Sequence, residues 1–111
     1  MRRTVRIIHS GVLFCLAGLV WPIGLPAQND AARIYKTNCV LCHAADGSGN
    51  TPSGKALGAK DLGSSEVQKK SDEELAKSIT AGQGKMPAFG AKIKGDGIKD
   101  LVAYIRILAK K

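Results

Sequence analysis

Apolar residues recur at spacings of three and four in three separate stretches of the chain, and each stretch predicts a helix. The longest repeat is Ile98, Leu101, Val102, Ile105 and Leu108. It predicts a helix from about Gly97 to Lys110, ending in cations that suit the negative end of a helix dipole. Upstream, the run SDEEL at 71–75 offers a serine cap with Glu74 three residues on, so a helix starts at Ser71, buries Leu75 and Ile79, and stops at Gly82. Ala31, Ile34 and Tyr35 share a face of a first helix, which Asn29 or Asp30 can cap and which runs to about Cys42. From Ala45 to Gly63 the sequence is dense in Gly, Ser, Asp and Pro and predicts loop, with isolated leucines at 57 and 62. A short helical turn is expected at Ser65–Lys69. No strand-like alternation of apolar and polar residues occurs, so the expected class is all-α.

The first 27 residues obey a different rule. MRRTVRIIHS carries three arginines and no acid, GVLFCLAGLVW is an apolar run of eleven, and PIGLPA supplies breakers and small residues. That order is a secretory signal peptide. The apolar run falls short of the roughly 17 to 25 residues a spanning helix needs. Cys15 follows Phe14, a bulky residue that argues against lipoprotein processing there. The expected organisation is a leader over 1–27, cut near Ala27, and one exported domain over 28–111, periplasmic or otherwise outside the cytoplasm. Its only direct route to a membrane is a leader left uncut.

Removing the leader sharpens the chemistry. Cys39 and Cys42, His43 and Met86 are the thiols, the imidazole and the thioether that remain. Without Arg2, Arg3 and Arg6 the domain keeps 14 Lys and Arg against 9 Asp and Glu, formally +5. Its aromatics shrink to Tyr35, Phe89 and Tyr104. A domain of this size with so little large apolar surface needs a staple. A Cys39–Cys42 disulfide would close too small a loop to serve.

Cys39, Cys42 and His43 stand at i, i+3 and i+4, which brings them to one face of a single helical turn. An object that takes two thiols and one imidazole side by side is haem, with its vinyl groups on the cysteines and its iron on the histidine, as C-x-x-C-H is commonly read. A redox dithiol needs a sheet-based fold that this pattern does not predict, and a structural zinc site needs four ligands where three Cys and His residues remain. A haem-free helical module is the bland alternative. With the single imidazole used, the second axial ligand falls by elimination to Met86, in the Gly- and Pro-flanked stretch GQGKMPAFG. Lys85 as ligand, or an open position, remains a competing assignment.

CVLCH near the start of the domain, KMPAF in its second half, Tyr35 four residues before the first cysteine and LVAYI in the last helix together resemble a class I c-type cytochrome. The resemblance covers essentially all of 28–111. It implies three main helices plus loops wrapped around one covalent haem c, with Ala31 and Tyr35 crossing Leu101 and Tyr104. It implies a backbone carbonyl near Pro52 accepting the His43 ring N–H. Leu57, Leu62, Phe89, Ile93 and Leu101 are the candidate residues for an apolar pocket around the ring. The implied function is single-electron transfer between redox partner proteins, by a monomeric carrier and not an enzyme, with His43 and Met86 both on the iron. The rival is a haem enzyme subunit or ligand sensor with a labile sixth position. On the family fold, Lys36, Lys55, Lys60, Lys85 and Lys92 would surround or approach the haem edge as a positive rim for an acidic redox partner. Nucleic acid is not an expected partner, since the charge excess is modest and no recognition motif is present.

Overall fold

The computed structural model of the chain describes residue 18 and residues 26–110. The leader assigned to 1–27 therefore lies almost wholly outside the described residues. Six helices follow in order, and among the described residues there is no strand: α1 Pro26–Asn38, α2 Val40–His43, α3 Pro52–Leu57, α4 Ser65–Gln68, α5 Asp72–Ala81 and α6 Gly97–Leu108. No helix among these residues is long and apolar enough to cross a membrane.

The frame is the crossing of α1 and α6. Ala31 and Tyr35 of α1 are buried there together with Leu101 and Val102 of α6, Leu101 being 1% exposed. The Tyr35 and Tyr104 rings lie 5.1 Å apart, tilted by 49°. Such aromatic pairs add to the roughly 1.5–3 kcal/mol that burying each large apolar side chain contributes. The repeat read from α6 is thus its buried face, and α5 packs Leu75 and Ile79 into the same core.

Helix ends obey their caps. Ser71 and Glu74 form the expected reciprocal box at the start of α5, with bonds of 2.7 and 3.1 Å. The first helix departs from expectation at both ends. It begins at Pro26, where a proline suits the first turn, so Asn29 and Asp30 lie inside it and not at its start. Asp30 instead pairs with Arg33 at 3.0 Å. It ends at Asn38, four residues early, where the side chains of Thr37 and Asn38 take the carbonyls of Arg33 and Ile34. Cys39 is the joint, at φ −115°, and α2 follows as a separate turn.

The stretch expected to be loop contains α3. Thr51 caps it by accepting from the Gly54 amide at 2.8 Å, Pro52 opens it, and Gly58 closes it in the left-handed region at φ 69°. Breaker residues here punctuate a helix and do not abolish one. Gly54 is also required for packing: a Cβ there would run into the carbonyl oxygens of Cys42 and Gly49. α3 therefore lies directly against the turn that carries the thiols. The helical turn expected at Ser65–Lys69 is α4, capped by Ser64.

Candidate cofactor site

A cleft opens between α2, the α3–α4 segment and the loop joining α5 to α6. It has an outer lobe of about 500 Å³ and an inner one of about 90 Å³. Cys39, His43, Lys60, Gln83 and Met86 line both lobes, and Cys42 lines the outer one. The four soft donors singled out in the sequence therefore face a common space, although Met86 is 43 residues from His43 along the chain.

The local backbone explains how each arrives. The His43 amide donates to the Cys39 carbonyl at 2.9 Å and the Cys42 amide to the same oxygen at 3.2 Å, which holds the CVLCH turn tightly wound. Both cysteines are free thiols, with no disulfide between them. Burial pushes the Cys39 thiol up to about 11, and the neighbouring Cys42 adds to the rise, so the unattached chain keeps it protonated at neutral pH. The His43 ring lies with Nδ1 3.0 Å from the Lys60 carbonyl. A carbonyl oxygen can only accept, so Nδ1 carries the proton and Nε2 presents its lone pair, the tautomer a metal ligand needs.

This bond corrects the carbonyl expected near Pro52. Pro52 is the first residue of α3, so its carbonyl is turned along that helix, and the residue lines neither lobe. The partner is a backbone atom, and no side-chain signal in the sequence marks it.

Met86 sits on a tight turn. Gln83 and Met86 exchange backbone bonds of 3.1 and 2.9 Å across Gly84, whose φ is +57°. Beyond it the Phe89 and Gly90 amides donate to Ile79 and Thr80, closing the orphan carbonyls at the end of α5. Phe89 is buried and lines the outer lobe. Leu62 and Leu101 wall the inner lobe. Leu57 also reaches the outer lobe but remains 46% exposed, so it is mouth and not lining core. Ile93 is buried in the core yet touches neither lobe. Val67, Leu75, Ile79 and Ile105 complete the inner apolar wall, and spacing alone did not separate them from ordinary core.

The residues fit a haem. Among the described residues no group of three or more His, Cys, Asp or Glu side chains could hold a bare metal ion. Iron bound between one imidazole and one thioether needs its remaining donors from elsewhere, and a porphyrin supplies them in a plane that apolar walls accept.

The wider comparisons agree. Residues 26–105 match the family described as cytochrome C oxidase, cbb3-type, subunit III. A cytochrome c6 of Picosynechococcus sp. is 36% identical over 95 residues, spanning 78% of this chain and 80% of that protein. The cbb3-type cytochrome c oxidase subunit FixP of Azorhizobium caulinodans is 34% identical over 89 residues, 78% of this chain but 29% of that longer polypeptide. The solved structure of the KustC0563 c-type cytochrome superposes with a TM-score of 0.65 at 33% identity, covering 71% of this chain and 96% of that one. Matched to that family over residues 26–105 and more than 30% identical to these relatives, the chain belongs to the small class I c-type cytochromes, which carry haem c covalently.

Proposed function

We propose that residues 28–111, exported behind the 1–27 leader, carry single electrons through a haem c joined to Cys39 and Cys42 and ligated by His43 and Met86. The observation that carries this reading is that His43, Met86 and Cys39 line the same two lobes, with Cys42 lining the outer one. Bound there, the haem supplies a one-electron Fe(III)/Fe(II) couple. The chain's own residues do the rest. Lys60 fixes the His43 tautomer through its carbonyl and strengthens the imidazole as a donor. Met86 supplies a soft sulfur that favours the ferrous state. The apolar walls disfavour the additional positive charge of the ferric state. With His43 and Met86 both holding the iron, no position would be left on the metal for a substrate, which suits a carrier and not a catalyst.

The partners are redox proteins, and an acidic docking face is the chemistry that suits this chain. Lys60 and Lys85 line the cleft, and the Lys92 ammonium lies 5.9 Å from the centre of the Phe89 ring. Lys36 and Lys55 are exposed but line neither lobe. Lys70, on the other hand, reaches the inner lobe. The rim is thus narrower than five lysines, and its steering should weaken with salt.

Carbon monoxide tests the ligand set. The reduced wild-type protein is expected to resist it at neutral pH, and Met86→Ala to bind it rapidly with a fall in midpoint potential. Rapid binding by wild type would favour the rival, a haem enzyme or ligand sensor with a labile sixth position.

A further inference from the structure

α2 is a single turn of four residues, too short to satisfy its own carbonyls, so those of Leu41, Cys42, His43 and Ala44 must find partners outside it. His43 obtains one from the Gly49 amide at 2.8 Å. The other three are met by two side-chain hydroxyls on either side of the turn. The Thr51 hydroxyl donates to the Leu41 carbonyl at 2.7 Å, with the Cys42 carbonyl at 3.3 Å, while accepting from the Gly54 amide. The Tyr35 hydroxyl donates to the Ala44 carbonyl at 2.6 Å, an oxygen that also accepts, more weakly, from the Gly47 amide at 3.2 Å. Ala44 is the one non-glycine residue with positive φ among the described residues, at +63°, and it directly follows His43. A backbone held there persists only when its surroundings over-determine it.

We infer that the Tyr35 and Thr51 hydroxyls are positioning residues for His43: together they hold the turn so that its ring meets both the iron and the Lys60 carbonyl. The inference rests on the reading of His43 as an iron ligand. Tyr35 is suited to the task because its ring is fixed at the α1–α6 crossing, 2% exposed and packed at a tilt against Tyr104. Thr51 is suited because it is the cap of α3, which Gly54 lets approach the turn closely. Motion of the α2 turn is therefore opposed from two rigid elements. Losing either hydroxyl frees the peptide next to His43, tilts its Cα–Cβ bond, and lengthens the Nδ1–H···O bond to Lys60.

The test uses the holoprotein and nuclear magnetic resonance of its reduced form. In Tyr35→Phe and in Thr51→Val the Nδ1 proton of His43 should exchange with water about tenfold faster than in wild type, the equivalent of roughly one hydrogen bond weakened, and the midpoint potential should shift. Thr51→Ser, which restores the hydroxyl, should return both to wild-type values. Asp72→Asn, which cuts the exposed Arg106–Asp72 pair away from the cleft, should lower the melting temperature and leave both readouts unmoved. If Tyr35→Phe gives no haem protein, the Val and Ser pair at position 51 decides alone. Variants that melt earlier with unaltered exchange and potential would show the hydroxyls to be structural only and overturn the inference, while leaving His43 ligation intact. A wild-type protein without haem, or with the His43 ring resonances of an unligated imidazole, would overturn both.

Discussion

His43 stands on a turn in which each carbonyl from Cys39 to Ala44 has a partner, supplied by amides of its own segment, by Gly47 and Gly49, and by the hydroxyls of Thr51 and Tyr35. Met86 stands on a loop tied at its base to the end of α5, through Phe89 and Gly90, and closed by the pair of backbone bonds between Gln83 and Met86. Its tip, at Gly84, has open space around it. The imidazole side is thus restrained from several neighbouring segments, whereas the thioether side is restrained mainly at its base. Low local contact and few buried restraints are what place a segment at the soft end of a fold's stability range.

The largest effect that sharpens this contrast is on attachment. Replacing Cys39 and Cys42 together by Ser should abolish the covalent link, so that the intact mass of the protein lacks haem and any pigment separates on denaturation. Met86→Ala should keep the full holoprotein mass. Equal loss of haem in both variants would break the comparison, because it would make the thioether as necessary to loading as the thiols.

Next comes a pair of glycines, one on each side. Gly54→Ala drives a methyl into the Cys42 and Gly49 carbonyls, neither of which can yield without moving α3 from the ligand turn. The expected cost is about 2–3 kcal/mol by urea unfolding. Gly84→Ala meets no atom within 4 Å, and its cost comes only from a φ of +57°, about 1 kcal/mol. A Gly84 variant as damaging as the Gly54 one would mean that the Met86 turn is as tightly determined as the His43 turn.

The same contrast explains what the sequence disclosed. α5 and α6 were legible because their apolar faces repeat and, for α5, because Ser71 and Glu74 mark the cap. The candidate site residues stood out because haem attachment demands particular side chains at particular spacings, and the fold brings Cys39, His43 and Met86 to one cleft. α3 was not legible, although Thr51-Pro52 followed by Gly58 is a cap, an opening proline and a left-handed stop. The density of Gly and Ser around those residues masked the signal. The Lys60 carbonyl could not be read at all, since every residue carries a carbonyl and only tertiary structure chooses one. Likewise the end of α1 at Asn38 depends on which side chains turn back on the backbone, a competition that apolar spacing does not record. Side-chain chemistry is written in the sequence, whereas the backbone atoms that orient it emerge with the fold.

The smallest effect concerns the tether behind Lys60. Its ammonium donates to Glu66 at 3.0 Å, across from the segment whose carbonyl holds His43 to the start of α4. Both side chains are exposed, so the pair adds little and is screened by salt. The hydrogen bond from Lys60, then its charge, holds the Glu66 carboxyl below the usual carboxylate range. A lowered folded-state value means that the unfolded chain takes up the proton first as the pH falls. The pair's contribution is therefore complete above the unfolded carboxylate range, near pH 4.3, declines as the pH drops through the lowered folded value, and is gone below it. Glu66→Gln should melt slightly earlier than wild type at pH 7 in low salt, and the difference should vanish both at about pH 2 and in about 1 M salt, where charges are screened within a few ångström. A gap that persists under acid would show that Glu66 acts through packing rather than charge, and the imidazole side would then owe nothing of its rigidity to this ion pair.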